Sequence, residues 1–387
     1  MRIKLFFLFL FFGLNVLAQK NEHTLQIKDA DTNLPIEDAS VYVVKTKQTL
    51  LSNADGVVSF VAAGNTNIQI THSSYTSVVI RLSAIKSEDN AVFLKKNITK
   101  LEEIIITKQH PQKILKSLVQ NSIRTLTVEA RLKVYTREFF KLNGIYTSYN
   151  DGLVNFQIFG REKNFKSNVA VEQNRSYGLI TEELSSDVLG YNLNNIMENY
   201  YNFKYLDPIV ETASQKDYEY LIKAHSQNEN YYLMTVTPNE KAKGLQDNYT
   251  IIYDRKKKLI IEMSSSLSPS SVVNVKDKTS VGSKNIYKSN FKTIYKIIDE
   301  DYFLASSREE IGFERIEKDR KSDIEVRNYF VTTKFTKEML EVKPTDIFKE
   351  KTLYNKKNHI LTNYWDISGL APTDEEKEII SQIEYRE

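Results

Sequence analysis

"SNADGVVSF", residues 52–60, places an Asn and an Asp two residues apart ahead of a Gly, as a calcium loop can begin. An EF-hand loop with Gly56 at its sixth position would start at Leu51 and end at Ala62, so its first ligand and its bidentate twelfth ligand are both missing. The other reading is a bend. Asp55-Gly56 stands between "TLL" (49–51) and "VVSF" (57–60), and Asp-Gly takes up the positive φ angles of a tight hairpin turn. A hairpin is therefore expected here, not a metal site. Short β-branched runs surround it: "LQI" (25–27), "SVYVV" (40–44), "NIQIT" (67–71), "SVVIRL" (77–82) and "AVFL" (91–94). Separated by polar or Pro-containing segments, they predict a small all-β sandwich of roughly seven strands.

Within this region Asp29, Leu34-Pro35-Ile36, Ala39-Ser40-Val41, Asp55-Gly56, Phe60 and His72 to Tyr75 form an ordered set. In that set the chain resembles the carboxypeptidase regulatory-like domain common in exported proteins of the Bacteroidetes cell envelope, over residues 24–95. Lys28 stands where that family usually has Gly, and Asp38-Ala39 where it has Gly-Ala. The resemblance implies a transthyretin-like sandwich acting as an accessory or adhesion-like module, with no catalytic residue to carry over. "LEEIIITK", Leu101 to Lys108, resembles the acidic, β-branched stretch that follows this domain in TonB-dependent outer-membrane receptors. Too few residues follow Lys108 for a receptor plug and barrel together, so a different partner domain is expected behind it.

Residues 1–18 read as an export signal, with Arg2 and Lys4 ahead of the apolar run Leu5 to Phe12 and Val16-Leu17-Ala18 at the cleavage positions. The run is too short for a comfortable membrane span. The expected location is the periplasm, or association with the outer membrane. The chain has no Cys, which excludes disulfides, thiolate metal sites and lipid attachment through an N-terminal cysteine. Loss of Arg2 and Lys4 takes the formal charge from +3 to +1, which leaves no electrostatic footprint for nucleic acid. The basic run Arg255 to Lys258 lies between two apolar stretches and reads as a solvated hairpin tip.

Behind a linker and helix over 96–126, the pattern predicts a large antiparallel β-rich domain over 127–340 and a tail with a helix over 341–387. Ile114, Leu115, Leu118, Val119, Ile123 and Leu126 cover one face of a helix that Pro111 begins. "RLKVYTREFFKL" and "GLVNFQIFG" read as strands, with turn signals at Asn143-Gly144 and at Asn150-Asp151-Gly152. A second helix is expected over Glu182 to Tyr201. In "NFKTIYKI", Phe291, Thr293, Tyr295 and Ile297 alternate with Asn290, Lys292 and Lys296, which predicts a sheet with one dry face and one wet face. Thr373 and Glu376 make a capping box for a last helix with Ile379, Ile380 and Ile383 on its apolar side. The fold class is mainly β: a small sandwich, then a large sheet whose dry face helices cover. In outline this resembles the curved open sheets of periplasmic lipoprotein carriers, with no motif to carry over.

Catalytic patterns are missing. None of His23, His72, His110, His225 and His359 begins an HExxH, and G-x-S-x-G, Walker A and GxGxxG do not occur. No catalytic, cofactor-binding or metal residue is assigned, and no cofactor is expected. Aromatic density in "ENYYNFKYLDP" (198–208) and "NYWDISGLAP" (363–372) reads first as filling of the sheet core, with a ligand groove formed by Tyr201, Phe203, Tyr205 and Trp365 as the alternative. The sequence thus reads as a non-enzymatic envelope protein that binds a lipid, a glycan or another envelope protein, with peripheral membrane association. Two other classes stay open: an outer-membrane β-barrel or transport accessory, and a hydrolase using carboxylates such as Glu102-Glu103, Glu182-Glu183 or Glu309-Glu310.

Overall fold

A computed structural model of the chain describes residues 21–62, 64–85, 90–97, 103–180, 192–226, 228–240, 242, 246–269, 277–279, 282–317, 320–354, 356–362, 365, 367 and 369–385. Residues 1–18, read as an export signal, lie outside them. The chain is mainly β, and among the described residues no helix is long and apolar enough to cross a membrane.

Strands β1 (Asn21–Asp29), β2 (Ser40–Val43), β3 (Gln48–Leu51), β4 (Val57–Ala62), β5 (Asn67–His72), β6 (Tyr75–Arg81) and β7 (Ala91–Leu94) form two small sheets, ordered β4-β1-β7 and β3-β2-β5-β6. Alternation sends Leu25, Ile27, Val58 and Phe60 of one sheet and Val41, Val43, Ile68 and Ile70 of the other into a single buried cluster. The bend at 52–60 is present, but the expected hairpin is not, because β3 and β4 belong to different sheets. Asn53 directs the chain there. Its side-chain oxygen accepts from the backbone N–H groups of Asp55 (3.0 Å) and Val57 (2.9 Å), an Asx turn that leads out of one sheet and into the other. Gly56 has φ +72°, and a Cβ on it would stand 2.4 Å from the Ile27 carbonyl oxygen.

Among the described residues, eleven strands make one antiparallel sheet. They are β8 (Ala130–Leu142), β9 (Ile145–Phe159), β10 (Lys166–Gly178), β11 (Tyr218–Ala224), β12 (Tyr231–Pro238), β13 (Asp247–Asp254), β14 (Ile260–Leu267), β15 (Asp277–Thr279), β16 (Gly282–Ile298), β17 (Asp301–Glu317) and β18 (Arg320–Thr336). The order is β10-β9-β8-β18-β17-β16-β14-β13-β12-β11, with β15 paired to β16. Asn143 (φ +49°) and Gly144 (φ +83°) turn β8 into β9 as expected. Asn150-Asp151-Gly152, in contrast, is no turn: it lies mid-strand in β9, opposite Glu138, Arg137 and Thr136 of β8. Asp151 is buried and ion-paired there, and Gly152 is needed because a Cβ would stand 2.7 Å from Leu353 and 2.8 Å from the Gln173 carbonyl oxygen.

The sheet stays open among the described residues, with no ladder joining β10 to β11. Backbone bonds from 103–105 cover the β11 edge, through Ala224 N–H to the Glu103 carbonyl and Ile105 N–H to the Ile222 carbonyl, 2.9 Å each. Along β8 and β9, Leu132, Val134, Val154 and Phe156 face one buried cluster while Tyr135, Phe139, Tyr149 and Leu153 face another. With chain buried on both sides, these strands do not form a lipid-facing barrel wall, which corrects the outer-membrane barrel reading.

Helix α1 (Pro111–Thr125) opens under the His110 side chain, which accepts from the Gln112 N–H, and buries Leu115, Leu118 and Val119 against the sheet. The second expected helix is shorter than the pattern implied: α2 spans Ile196–Tyr201, residues 181–191 lie outside the described residues, and 192–195 form a turn in which Asn192 Oδ1 accepts from Asn194 N–H. A 3₁₀ turn then leads to the short α3 (Asp207–Val210), and Gln112 Nε2 holds that stretch through the carbonyls of Ile209 and Glu211. The last helix, α4 (Asp374–Glu384), has the expected capping box, with Thr373 and Glu376 bonded reciprocally.

Candidate functional site

The polar side of β16 is not wet along its whole length, because the small sheets stand over it. Lys292 reaches Asp38, just before β2, at 2.8 Å, and Glu262 on β14 at 3.4 Å. Four residues on, Lys296 Nζ donates to Ser40 Oγ at 2.6 Å and sits 5.8 Å from the centre of the Tyr42 ring. Between these walls lies a cleft of about 580 Å³, lined by Ser40, Tyr42, Gln69, Thr71, His72, Ser73, Asn228, Asn230, Tyr231 and Lys296.

The charge states follow from the surroundings. Burial lowers the Lys292 ammonium, but Glu262 and Asp38 more than offset this and hold it above its ordinary value. Lys296 has no such help, and burial pushes it down to about 8. His72 is lowered by burial and by nearby Lys292, while its Nδ1 accepts from the Ser74 N–H at 3.0 Å. The ring is therefore neutral with its proton on Nε2. Burial raises Tyr42 and Tyr231, which stay protonated. The cleft thus offers hydroxyls, amides, one imidazole donor, the phenol rings of Tyr42, Tyr75, Tyr231 and Tyr295, one lysine and the carboxylates of Asp38, Glu262 and Asp299, beside several aliphatic side chains.

A second polar feature crosses the helix-covered face. Asn150, Glu138, Asn328 and Glu309 lie side by side on β9, β8, β18 and β17. Burial pushes Glu138 and Glu309 each up to about 7. Glu138 accepts from Asn150 at 3.2 Å, while its second oxygen and both polar side-chain atoms of Asn328 make no hydrogen bond. A void of about 10 Å³ beside Thr136, Glu138 and Asn150 has room for a single water. Alternation splits the pair Glu309-Glu310. Glu310 points to the opposite face and is bound by Lys288, Arg308 and Arg327. Residues 101–102 and 181–191, which hold Glu102, Glu182 and Glu183, lie outside the described residues.

The aromatic candidates separate in the same way. Tyr201 and Phe203 are fully buried in the cluster under the helices, and Tyr205 stacks on Phe291 with ring centres 4.0 Å apart. Trp365 is on the other face, where the Arg175 guanidinium lies 5.3 Å over its ring. It belongs to a buried ionic network that the sequence did not reveal. Arg137 donates to Tyr135 (2.9 Å), Glu376 (2.9 Å) and the Leu370 carbonyl (2.6 Å); Arg175 donates to both oxygens of Asp151, at 3.1 and 2.7 Å; and Tyr135 and Tyr149 donate to Asp151. Burial opposes the charge on Arg137, and Tyr135 and Glu376 more than offset it. The network fastens α4 to the sheet. The only sequence signal was an Arg at an odd position of β8, where neighbouring Tyr135 and Phe139 already marked the face as buried.

No family model matches the sequence, and no curated protein matches it. Among solved structures, the chain is similar to a DUF1329 family protein from Desulfovibrio piger, with 10% identity over 57% of this chain and 92% of that one and a TM-score of 0.27. It is similar also to a LolA superfamily protein from Nitrosomonas europaea, with 10% identity over 60% and 97% and a TM-score of 0.24. A third is lipovitellin, with 9% identity over 60% of this chain and 28% of that one and a TM-score of 0.26. At these scores the function has to be argued from the chain's own geometry.

Proposed function

We propose that this chain is a non-enzymatic binding protein of the cell envelope that holds a glycan in the cleft between its small sheets and its large sheet. The observation that carries the reading is the cleft itself: about 580 Å³ of space whose lining sets Ser, Thr, Gln, Asn and His side chains and the rings of Tyr42 and Tyr231 among the charged groups of Asp38, Glu262, Asp299 and Lys296. Sugars present hydroxyls on their edges and C–H groups on their faces, and neutral polar side chains beside phenol rings match both.

The N-terminal strands support the rest of the reading. Two sheets sharing one buried cluster suit a carboxypeptidase regulatory-like sandwich over 24–95, placed as an accessory wall for the large domain over 127–340. Export rests on the pattern of residues 1–18 and places the protein in the periplasm or at the outer membrane. A glycan array on the full chain, repeated with Tyr231→Ala, tests the site. Sugar binding that weakens in the variant supports it, and binding that ignores Tyr231 refutes it.

A lipid is the second reading. It is favoured by the buried Tyr201 hydroxyl, which makes no hydrogen bond beneath the short helices, and by the half-buried Tyr205 at their edge. Mass spectrometry of organic extracts of the purified protein decides it: a stoichiometric lipid favours that face over the cleft.

A further inference from the structure

Lys292 and Lys296 stand on the same face of the same strand, yet they are provided for differently. Lys292 has two carboxylates at ion-pair distance. Lys296 has a hydroxyl and a ring, and among the described residues no carboxylate lies at ion-pair distance from its amine. A partly buried ammonium without a counter-ion is costly to keep, and a fold that needed only its bulk would be served by an apolar side chain. This amine also lines the largest of the clefts beside the small sheets, among groups suited to sugar hydroxyls.

The other titratable groups of the cleft have partners of their own, stay neutral or lie at the rim: Tyr75 donates to Asp29 and Tyr295 to the Tyr200 carbonyl. Asp38 and Glu262 are bound to Lys292, and Ser73 Oγ donates to Glu262 at 3.3 Å. Asp299 is exposed at the rim and bears on Tyr42. His72 is neutral. Among the described residues, Lys296 is thus the cation of the cleft with no carboxylate at ion-pair distance.

We infer that Lys296 is the anion subsite of the cleft, and that the ligand is an acidic glycan whose sugar carboxylate completes the ion pair left open among the described residues. The inference rests on the glycan reading above. The carboxylate would replace the missing counter-ion, Ser40 would hold the amine in place, and the tyrosines and amides would take the neutral part of the sugar.

The pH dependence has a definite sign. Lys296 is charged below about 8 and neutral above it. Affinity for the acid should hold at pH 7 and decline towards pH 9, while a neutral sugar should show no such decline.

The test uses the full chain and a set of uronic-acid oligosaccharides, each paired with its own methyl ester, which keeps the sugar and removes the charge. Calorimetry at pH 7 should show the acid binding about tenfold more tightly than the ester, the value of one charge-assisted hydrogen bond. The preference should vanish in Lys296→Met and persist in Lys296→Arg, with thermal unfolding confirming that both variants fold. Should the methionine variant fail to fold, the pH 7 to 9 titration of the parent protein carries the same information. Equal affinity for acid and ester, unaltered by the variants, would sink the inference and leave the glycan reading standing. If neither form binds and neutral glycans fail as well, both fall together.

Discussion

Glu138→Gln should remove one of two comparable contributions to the pH dependence of stability between pH 4.5 and 7, Glu309 carrying the other. Glu138 is 5% exposed, its second oxygen has no hydrogen-bond partner, and burial pushes it from an ordinary 4.5 to about 7. In the unfolded chain the group loses its proton near 4.5, whereas in the folded chain it keeps it until about 7. The favourable contribution is therefore complete below pH 4.5, is lost as pH rises through 7, and stays lost above that. The difference corresponds to about 3 kcal/mol. Gln keeps the volume and can still accept from Asn150, which donates to Glu138 at 3.2 Å. At pH 8 the variant should be the more stable protein by up to about 3 kcal/mol, and at pH 4.5 the two should be alike. Urea midpoints from pH 4.5 to 8 measure this directly. Glu309, pushed up as far in the same row, leaves a residual slope of similar size in the variant. If the variant loses as much stability across this range as the parent, the carboxylate is not carrying the buried charge that this reasoning assigns to it.

Other substitutions probe other parts of the fold. Glu376→Gln keeps the capping box but leaves Arg137 without its counter-charge; a loss of about 3 kcal/mol in denaturant unfolding is expected, and a cost below about 1 kcal/mol would contradict the buried-pair account. Gly152→Ala should cost about 1–3 kcal/mol, because Leu353 can shift but the Gln173 carbonyl at 2.8 Å cannot; a neutral result in thermal unfolding would mean that β9 and β10 move apart easily. Asn53→Ala should cost about 1 kcal/mol through loss of its side-chain bonds to the turn and to the Ala371 carbonyl, with hydrogen exchange at Asp55 and Val57 accelerating first.

Local signals in the sequence gave reliable local structure. Asn143-Gly144 makes its turn, Thr373 and Glu376 make their cap, and the basic tip at 255–258 joins β13 to β14. Asn150-Asp151-Gly152 failed as a turn because its chemistry is answered from elsewhere, by Arg175 on β10 and Tyr135 on β8. The same holds for the cleft. Alternation along β16 told which face Lys292 and Lys296 share, but the chain that covers that face, Asp38 to Tyr42, lies more than two hundred residues away. Nothing in the order of residues distinguishes the lysine that will be paired from the one that will not. Aromatic density was likewise readable as density alone, and whether Tyr201 and Trp365 share a wall depends on which face of the sheet each reaches.

Residues 369–371 act as a rivet. Leu51 pairs with Leu370, its N–H bonds to the Gly369 carbonyl at 3.3 Å, and Asn53 reaches the Ala371 carbonyl at 3.2 Å, while Arg137 grips the Leu370 carbonyl from the large sheet. Three residues thus fasten the front of the polypeptide to its middle. The spacing of the two cleft walls is accordingly set twice, by this anchor and by the direct pairs Lys292–Asp38 and Lys296–Ser40, and a chain lacking residues 369–371 would keep the pairs but lose the anchor.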